Sequence, residues 1–192
     1  MVKLDHIAVS LIILGFMIDL YLSTFFPKSI ILYPTILLLS GGYLLNLYKN
    51  IKVDTPVESN VFMYSVIGIL MIGLIGFITP RVFVMESVLS GVTQFQLTLF
   101  VVLMAIAEEV FFRGFLQSYF ALKLHSVALS IVLQSVVWSV YHTAVYGSHP
   151  DIMMYVLLSG IVLGYLTYRS GSLTPSLISH IVINFIASSG GV

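Results

Sequence analysis

The chain has 192 residues, of which 59% are hydrophobic and only 8% charged, and its mean hydropathy is +1.08. A soluble domain carries about a quarter charged residues, so this composition excludes an ordinary water-soluble fold and predicts an integral membrane protein. Its eight basic and eight acidic residues balance without a basic run, so nothing indicates a nucleic-acid partner, and the absence of cysteine excludes disulfides and thiol nucleophiles.

Seven apolar runs approach the length that a helix needs to cross a bilayer, about 20 residues. They lie near residues 6–26, 29–48, 61–79, 94–122, 126–147, 151–168 and 174–188. Short polar breaks separate them and no long linker divides the chain. We therefore predict an all-α fold, a polytopic transmembrane helical bundle of about seven spans in a single membrane domain, 1–192. Its N-terminal spans occupy residues 1–80, and a four-helix catalytic core of spans four to seven occupies residues 94–188.

The first span continues past Asp19 without a small-residue cleavage site, so we expect it to be retained rather than removed as a signal peptide. Basic residues in short loops predict the orientation. With the N-terminus in the cytoplasm, the inner side holds five of them and the outer side two: Lys3, Lys49, Lys52, Lys123 and Arg169 against Lys28 and Arg81. We expect a cytoplasmic N-terminus and an external C-terminus.

The fourth span is unusually long and carries three charged residues in an apolar helix, Glu108, Glu109 and Arg113. Its length indicates a tilt, or a bend after Gly114. Each ionised side chain at the centre of a span costs about 2.5–3.5 kcal/mol on insertion scales. Glu109 and Arg113 are four residues apart on one helix face, so we expect a structural ion pair. Glu108 points about 100° away and stays available for chemistry.

The last two spans carry signals for helix packing and helix initiation. Gly160 and Gly164, four apart in the sixth span, predict a close-packed helix face. Thr174 and Pro175 predict the start of the seventh span, because threonine caps helices and proline suits their first turn.

The fifth and seventh spans each place an aromatic or imidazole ring and a second polar group four residues apart. These pairs are Trp138 with His142 and His180 with Asn184. Each pair lies on one face of its helix. Glu108, His142, His180 and Asn184 are therefore expected to converge from three helices on one buried pocket.

Such a pocket suits hydrolysis by activated water. The sequence has no cysteine, no Gly-x-Ser-x-Gly elbow and no evident Ser/Lys dyad, so a covalent mechanism lacks a nucleophile. A carboxylate with histidines can activate water, and an amide or imidazole can stabilise the oxyanion. Zinc held by Glu108, His142 and His180 is the alternative. Because there is no His-Glu-x-x-His helix and Asn184 is a poor zinc ligand, we favour a site that requires no cofactor.

These motifs resemble the CAAX protease and bacteriocin-processing (CPBP, or Abi) family of membrane peptidases, which includes the type II CAAX prenyl endopeptidases. The resemblance covers roughly residues 94–188 and rests on Glu108-Glu109-x-x-x-Arg113, Trp138-x-x-x-His142 and His180-x-x-x-Asn184. Trp138 stands where the family usually has phenylalanine, which keeps an aromatic wall.

The resemblance implies that Glu108 and His142 activate water and that His180 and Asn184 stabilise the oxyanion. Trp138 and Phe112 are expected to form the pocket wall. The implied substrate is a membrane-associated peptide or protein, with a prenylated CAAX terminus as one alternative. The implied setting is the lipid bilayer, the plasma membrane of a prokaryote.

Two other functional classes stay open. A non-enzymatic immunity or peptide-binding homologue would share the fold, but the intact Glu108 favours an enzyme. A proton-coupled transporter could use Glu108 and the histidines as a relay, but the related halves and broken helices typical of transporters are not visible in the sequence.

Overall fold

The computed structural model describes residues 41, 60–78, 94–146 and 148–188, and these form helices joined by short turns, without a strand among them. The helices are α1 (Val61–Ile78), α2 (Gln94–Glu108), a π-helical segment (Glu109–Leu116), α3 (Gln117–Leu124), α4 (Val127–Tyr146), α5 (Pro150–Ser170) and α6 (Thr174–Ser188). The predicted all-α fold is therefore confirmed over the described residues. The predicted spans near 6–26 and 29–48 lie outside them, apart from the helical Gly41.

Two of these helices, α1 and α5, are long and apolar enough to cross a membrane. The apolar stretches Val127–Thr143 and Thr174–Ala187 are shorter. The outer face of α1 exposes large apolar side chains, with Phe62 and Phe77 each 80% exposed, as expected for a helix that faces lipid. The count of seven spans stays a prediction.

The long fourth apolar run is helical throughout its described length, from Gln94 to Leu124, and its tilt, or bend after Gly114, stays a prediction. Helix α2 passes at Glu109 into the π-helical segment, which runs for eight residues before α3 continues. Backbone angles stay helical at both junctions, Glu108 and Gln117. A π-helix has a wider turn than an α-helix and occurs often at functional sites. Here it carries Glu109 and Arg113, two of the three charged residues of the predicted motif.

Helices α4 and α5 pack closely along the predicted glycine face. A Cβ atom added at Gly160 would lie 2.9 Å from Trp138 Cε3, and one added at Gly164 would lie 2.7 Å from Gln134 Nε2. The glycines also leave their carbonyl oxygens open to side-chain donors: Gln134 Nε2 donates to Gly160 O at 3.2 Å, and Gln117 Nε2 donates to Gly164 O at 3.0 Å. The close packing predicted from this glycine pair is confirmed.

Helix α1 packs against α6, and a hydrogen bond between them sets the position of α6 along its axis. Ser179 Oγ on α6 donates to the carbonyl oxygen of Ser65 on α1 at 3.0 Å. A Cβ atom at Gly68 would clash with Ser179 and Leu166, so the two helices approach as closely as a glycine allows. Because His180 follows Ser179, this contact supports the helix turn that carries one of the predicted site histidines.

Candidate active site

The two adjacent glutamates lie at the junction of α2 and the π-helical segment, and both are buried. Glu108 is 4% exposed and Glu109 is 1% exposed. Arg113 Nη1 donates to Glu109 Oε1 at 3.1 Å, forming the ion pair that the four-residue spacing predicts. A buried carboxylate is costly without donors or a counter-charge, and for Glu109 the arginine supplies both.

Glu109 has a second partner that the spacing does not indicate. His180 Nδ1, on α6, lies 2.9 Å from Glu109 Oε1, across 71 residues of sequence. One carboxylate oxygen thus joins Arg113 and His180. The role expected for Glu109, a structural ion pair, is therefore incomplete, because the same side chain also orients a site histidine. No local sequence pattern predicts this contact, since it depends on how α6 packs.

Glu108 receives a hydrogen bond from the side chain that was expected to form the pocket wall. Trp138 Nε1–H donates to Glu108 Oε2 at 2.7 Å. The guanidinium carbon of Arg113 lies 4.1 Å from the centre of the Trp138 ring, within range of a cation–π interaction. Trp138 therefore contacts two of the three charged residues of the motif, Glu108 and Arg113, and is part of their polar network. The sequence alone could have indicated this role, because the indole N–H of a tryptophan is a hydrogen-bond donor that phenylalanine lacks.

Both histidines are held in the same tautomer by their Nδ1 partners. His142 Nδ1 lies 2.8 Å from the carbonyl oxygen of Trp138, and His180 Nδ1 lies 2.9 Å from Glu109 Oε1. A carbonyl oxygen and an ion-paired carboxylate only accept hydrogen bonds, so each Nδ1 carries the proton. In the neutral form of each ring, Nε2 then presents a lone pair.

Three acceptor atoms consequently face one small space. The Nε2 atoms of His142 and His180 lie 3.8 and 3.9 Å from Glu108 Oε2. These distances are too long for direct hydrogen bonds, and three acceptors do not attract each other. They are suited to a group that brings protons, such as a water molecule that donates to two of them.

A cation is the other kind of group that three acceptors attract. Zinc needs ligand atoms at about 2.0–2.2 Å, and its proposed ligands would be Glu108, His142 and His180. Within the described ranges, no group of three His, Asp or Glu residues is arranged to hold a metal ion.

A cavity opens beside these acceptors and contains the fourth predicted site residue, Asn184. Its volume is about 50 Å³, which leaves room for about three to five water molecules. Its lining comprises Ile72, Trp138, His142, Tyr146, Tyr155, Val156, Ser159, Leu163, His180, Ile183 and Asn184. Of the predicted catalytic residues, His142, His180 and Asn184 line the cavity, and Glu108 lies beside it through its contacts with Trp138 and the histidines.

The lining of the cavity has a buried part and a more exposed part. Ile72, Val156 and Leu163 are each at most 3% exposed, whereas Tyr146 and Asn184 are half-buried. Ile72 belongs to α1, which lies before the predicted catalytic core of residues 94–188. The pocket is therefore lined by residues from outside the core that the motifs delimit as well as from within it.

Phe112 does not take its predicted place in the pocket wall. It is fully buried, with its ring 5.0 Å from that of Phe111 and 5.4 Å from that of Tyr141, both edge-on. It is not among the residues that line the cavity. Phe112 therefore belongs to the aromatic packing with Phe111 and Tyr141.

The motif residues all lie within one recognisable sequence region. The model of a protein family described as type II CAAX prenyl endopeptidase Rce1-like matches residues 90–186. That region contains both glutamates, the arginine, the tryptophan, both histidines and the asparagine described above. No curated protein and no solved structure matches the chain significantly.

Proposed function

Because the chain belongs to the Rce1-like family of type II CAAX prenyl endopeptidases, a family of membrane-embedded proteases, we propose that it is an intramembrane endopeptidase. Its substrate is a membrane-associated peptide or protein, and water activated by Glu108 hydrolyses the peptide bond. The observation that carries the proposal is the convergence of three acceptors, Glu108 Oε2 and the Nε2 atoms of both histidines, at 3.8 and 3.9 Å.

The first step forms a bond between the water oxygen and the scissile carbonyl carbon. Glu108 and His142 orient the water as acceptors, and Glu108 takes one of its protons as the C–O bond forms. The carbonyl π electrons move to oxygen and produce an oxyanion. The C–N bond then breaks, and the amine leaves with the proton that Glu108 held. The oxyanion electrons re-form the C=O bond as the C–N bond breaks, and the second water proton passes from the new carboxylic acid to the amine. The products are a carboxylate and an ammonium group, and no oxidant or cofactor is needed.

Two groups on α6 serve the oxyanion at different stages. The Asn184 side-chain amide is a donor from the start, because its NH₂ group always carries protons. His180 begins as an acceptor, since its proton is on Nδ1, and becomes a donor through Nε2 once it takes up a proton from solvent water in the cavity, which it returns to solvent after the C–N bond breaks. The Glu109 carboxylate at 2.9 Å stabilises that imidazolium, as the aspartate does in a Ser-His-Asp triad. The oxyanion role proposed for His180 therefore depends on its gaining a proton.

The cavity supports an apolar substrate side chain next to the scissile bond. Ile72, Val156 and Leu163 offer it buried apolar contacts next to the hydroxyl of Ser159, while Glu108 and the two histidines would face the peptide backbone. A peptide ending in the CAAX pattern, with aliphatic residues after a prenylated cysteine, suits this arrangement and a bilayer setting. We propose such a peptide as the substrate class to test first.

The experiment is cleavage by the purified protein in detergent. The probes are a fluorogenic farnesylated CAAX peptide and the same peptide without the lipid. Glu108→Gln preserves the side-chain size and is expected to lower kcat/KM by at least about 10²-fold. Asp151→Asn is the matched carboxyl-to-amide control, because Asp151 is exposed at the start of α5. Cleavage by Glu108→Gln at the parent rate would contradict the proposal.

Metal removal separates the favoured mechanism from the zinc alternative. We expect the parent protein to keep its activity after thorough chelation and to contain no stoichiometric metal by elemental analysis. A protein that is inactive after chelation and recovers when zinc is returned would replace water activation by Glu108 with zinc chemistry, while leaving the same site residues in place.

A further inference from the structure

Trp138 carries an indole N–H in addition to its aromatic ring, and this donor contacts Glu108. Glu108 is 4% exposed, so its carboxylate depends on donors supplied by the protein. In the described part of the chain the donor to Glu108 is Trp138 Nε1–H, at 2.7 Å, whereas the two histidine Nε2 atoms lie beyond hydrogen-bond distance. Phenylalanine could not make this bond.

The indole is itself held on several sides. Arg113 lies 4.1 Å from its ring centre, and the rings of His142 and His180 meet it edge-on at 4.7 and 5.5 Å. Gly160 leaves room for it, since a Cβ atom there would lie 2.9 Å from Trp138 Cε3. Because the indole is held in place, its hydrogen bond also restrains the Glu108 carboxylate.

We propose that Trp138 is a positioning residue that holds the Glu108 carboxylate in place through its indole N–H, so that the remaining lone pair of Oε2 faces the space between the two histidines. The inference rests on the proposed function, because the positioned carboxylate is the proposed base. It assigns to this chain a device that a phenylalanine at the same position cannot provide.

The kinetic test is Trp138→Phe, which keeps an aromatic ring and removes the donor. We expect kcat to fall by about 10- to 100-fold while KM stays within about twofold, because displacement of a reacting group by about 1 Å can cost 10²-fold. Tyr64→Phe is the control: it removes a polar group from a buried aromatic residue of α1 outside the cavity, and kcat should stay within about twofold of the parent. A Trp138→Phe kcat within threefold of the parent, or a fall explained by loss of folded protein, would overturn the inference.

A spectroscopic test does not depend on turnover. Trp138 is the sole tryptophan of the chain, so ¹⁵N-indole labelling yields a single N–H resonance. A charged acceptor shortens and strengthens the hydrogen bond, so we expect a downfield proton shift that moves upfield in Glu108→Ala and is unchanged in Asp151→Asn. An indole N–H chemical shift that is unchanged in Glu108→Ala would overturn the inference and leave the proposed function in place. A parent protein without peptidase activity would overturn the proposed function, and with it the catalytic part of the inference, whatever the resonance shows.

Discussion

The side chain of Glu109 contacts both a counter-charge and a histidine of the proposed active site. Its Oε1 atom lies 3.1 Å from Arg113 Nη1 and 2.9 Å from His180 Nδ1. The first contact balances the arginine charge within one helix, and the second reaches another helix. Substitutions at Glu109 and Glu108 should therefore have different consequences, although the two residues are adjacent.

We expect Glu109→Gln to lower thermal stability more than Glu108→Gln does. The neutral amide leaves Arg113 buried without its hydrogen-bonded counter-charge, and breaking a buried ion pair on one side costs about 3–5 kcal/mol. Thermal unfolding in detergent measures the difference. Equal melting temperatures for the two variants and the parent would contradict this expectation.

We also expect the two groups on α6 to contribute unequally to hydrolysis. Loss of one oxyanion donor lowers the rate by about 10²–10³-fold, the loss expected for Asn184→Ala at most. His180→Ala should lower kcat/KM further, because it removes both the acceptor and the donor functions of the ring. A larger loss in Asn184→Ala than in His180→Ala would show that the roles are reversed.

Among the elements, the π-helical segment and the contact of α1 with α6 are decisive for the site. The segment carries the ion pair of Glu109 with Arg113 and connects α2 to α3. Helix α1 lies before the family-matched region yet supplies Ile72 to the cavity and bonds to α6 next to His180. Helix α1 therefore contributes both to the geometry of the site and to the lipid-facing surface of the protein.

The close approach of α1 and α6 can be tested with two glycines of the same helix. Gly68→Ala should destabilise the protein by about 1–3 kcal/mol, the usual cost of overpacking, and should lower activity by displacing the turn that carries His180. Gly73→Ala is the matched control, because a Cβ atom there meets nothing within 4 Å. Thermal unfolding and kcat/KM of both variants measure the effect. Indistinguishable behaviour of the two would show that this contact does not hold α6.

On the scale of the whole molecule, the bilayer takes the place of water as the solvent of the outer surface. The apolar face of α1 and the 8% content of charged residues fit these surroundings, and charged groups such as Glu109 and Arg113 pair inside the bundle. A hydrolase in such a fold must admit water to a buried site, and the cavity beside Asn184 is where the described structure provides room for it.

The orientation predicted from loop charges can be measured by cysteine scanning, since the parent has no cysteine. In a cell, Lys52→Cys should react with a membrane-impermeant maleimide only after permeabilisation, whereas Val192→Cys should react in intact cells. The physical basis is the excess of Lys and Arg in cytoplasmic loops. The opposite labelling pattern would reverse the orientation while leaving the site unchanged.

The sequence by itself determined the features that depend on composition and on local spacing. Charge content and apolar runs indicated a helical membrane protein, the four-residue spacing indicated the pair of Glu109 with Arg113, and the glycine pair indicated a close helix contact. Each depends on helix periodicity or on the cost of burying charge, and both act over a few residues. The ordered motifs also led to the family that the matched region shows.

Only the tertiary structure decided which groups meet. The Trp138–Glu108 bond spans 30 residues and the His180–Glu109 contact spans 71, and the histidine tautomers follow from partners that no local pattern specifies. Phe112 packs against Phe111 and Tyr141 and does not line the pocket, whereas α1 brings Ile72 into it. Local periodicity predicts which face of a helix a residue occupies, but the packing of helices that are distant in the chain determines what that face contacts.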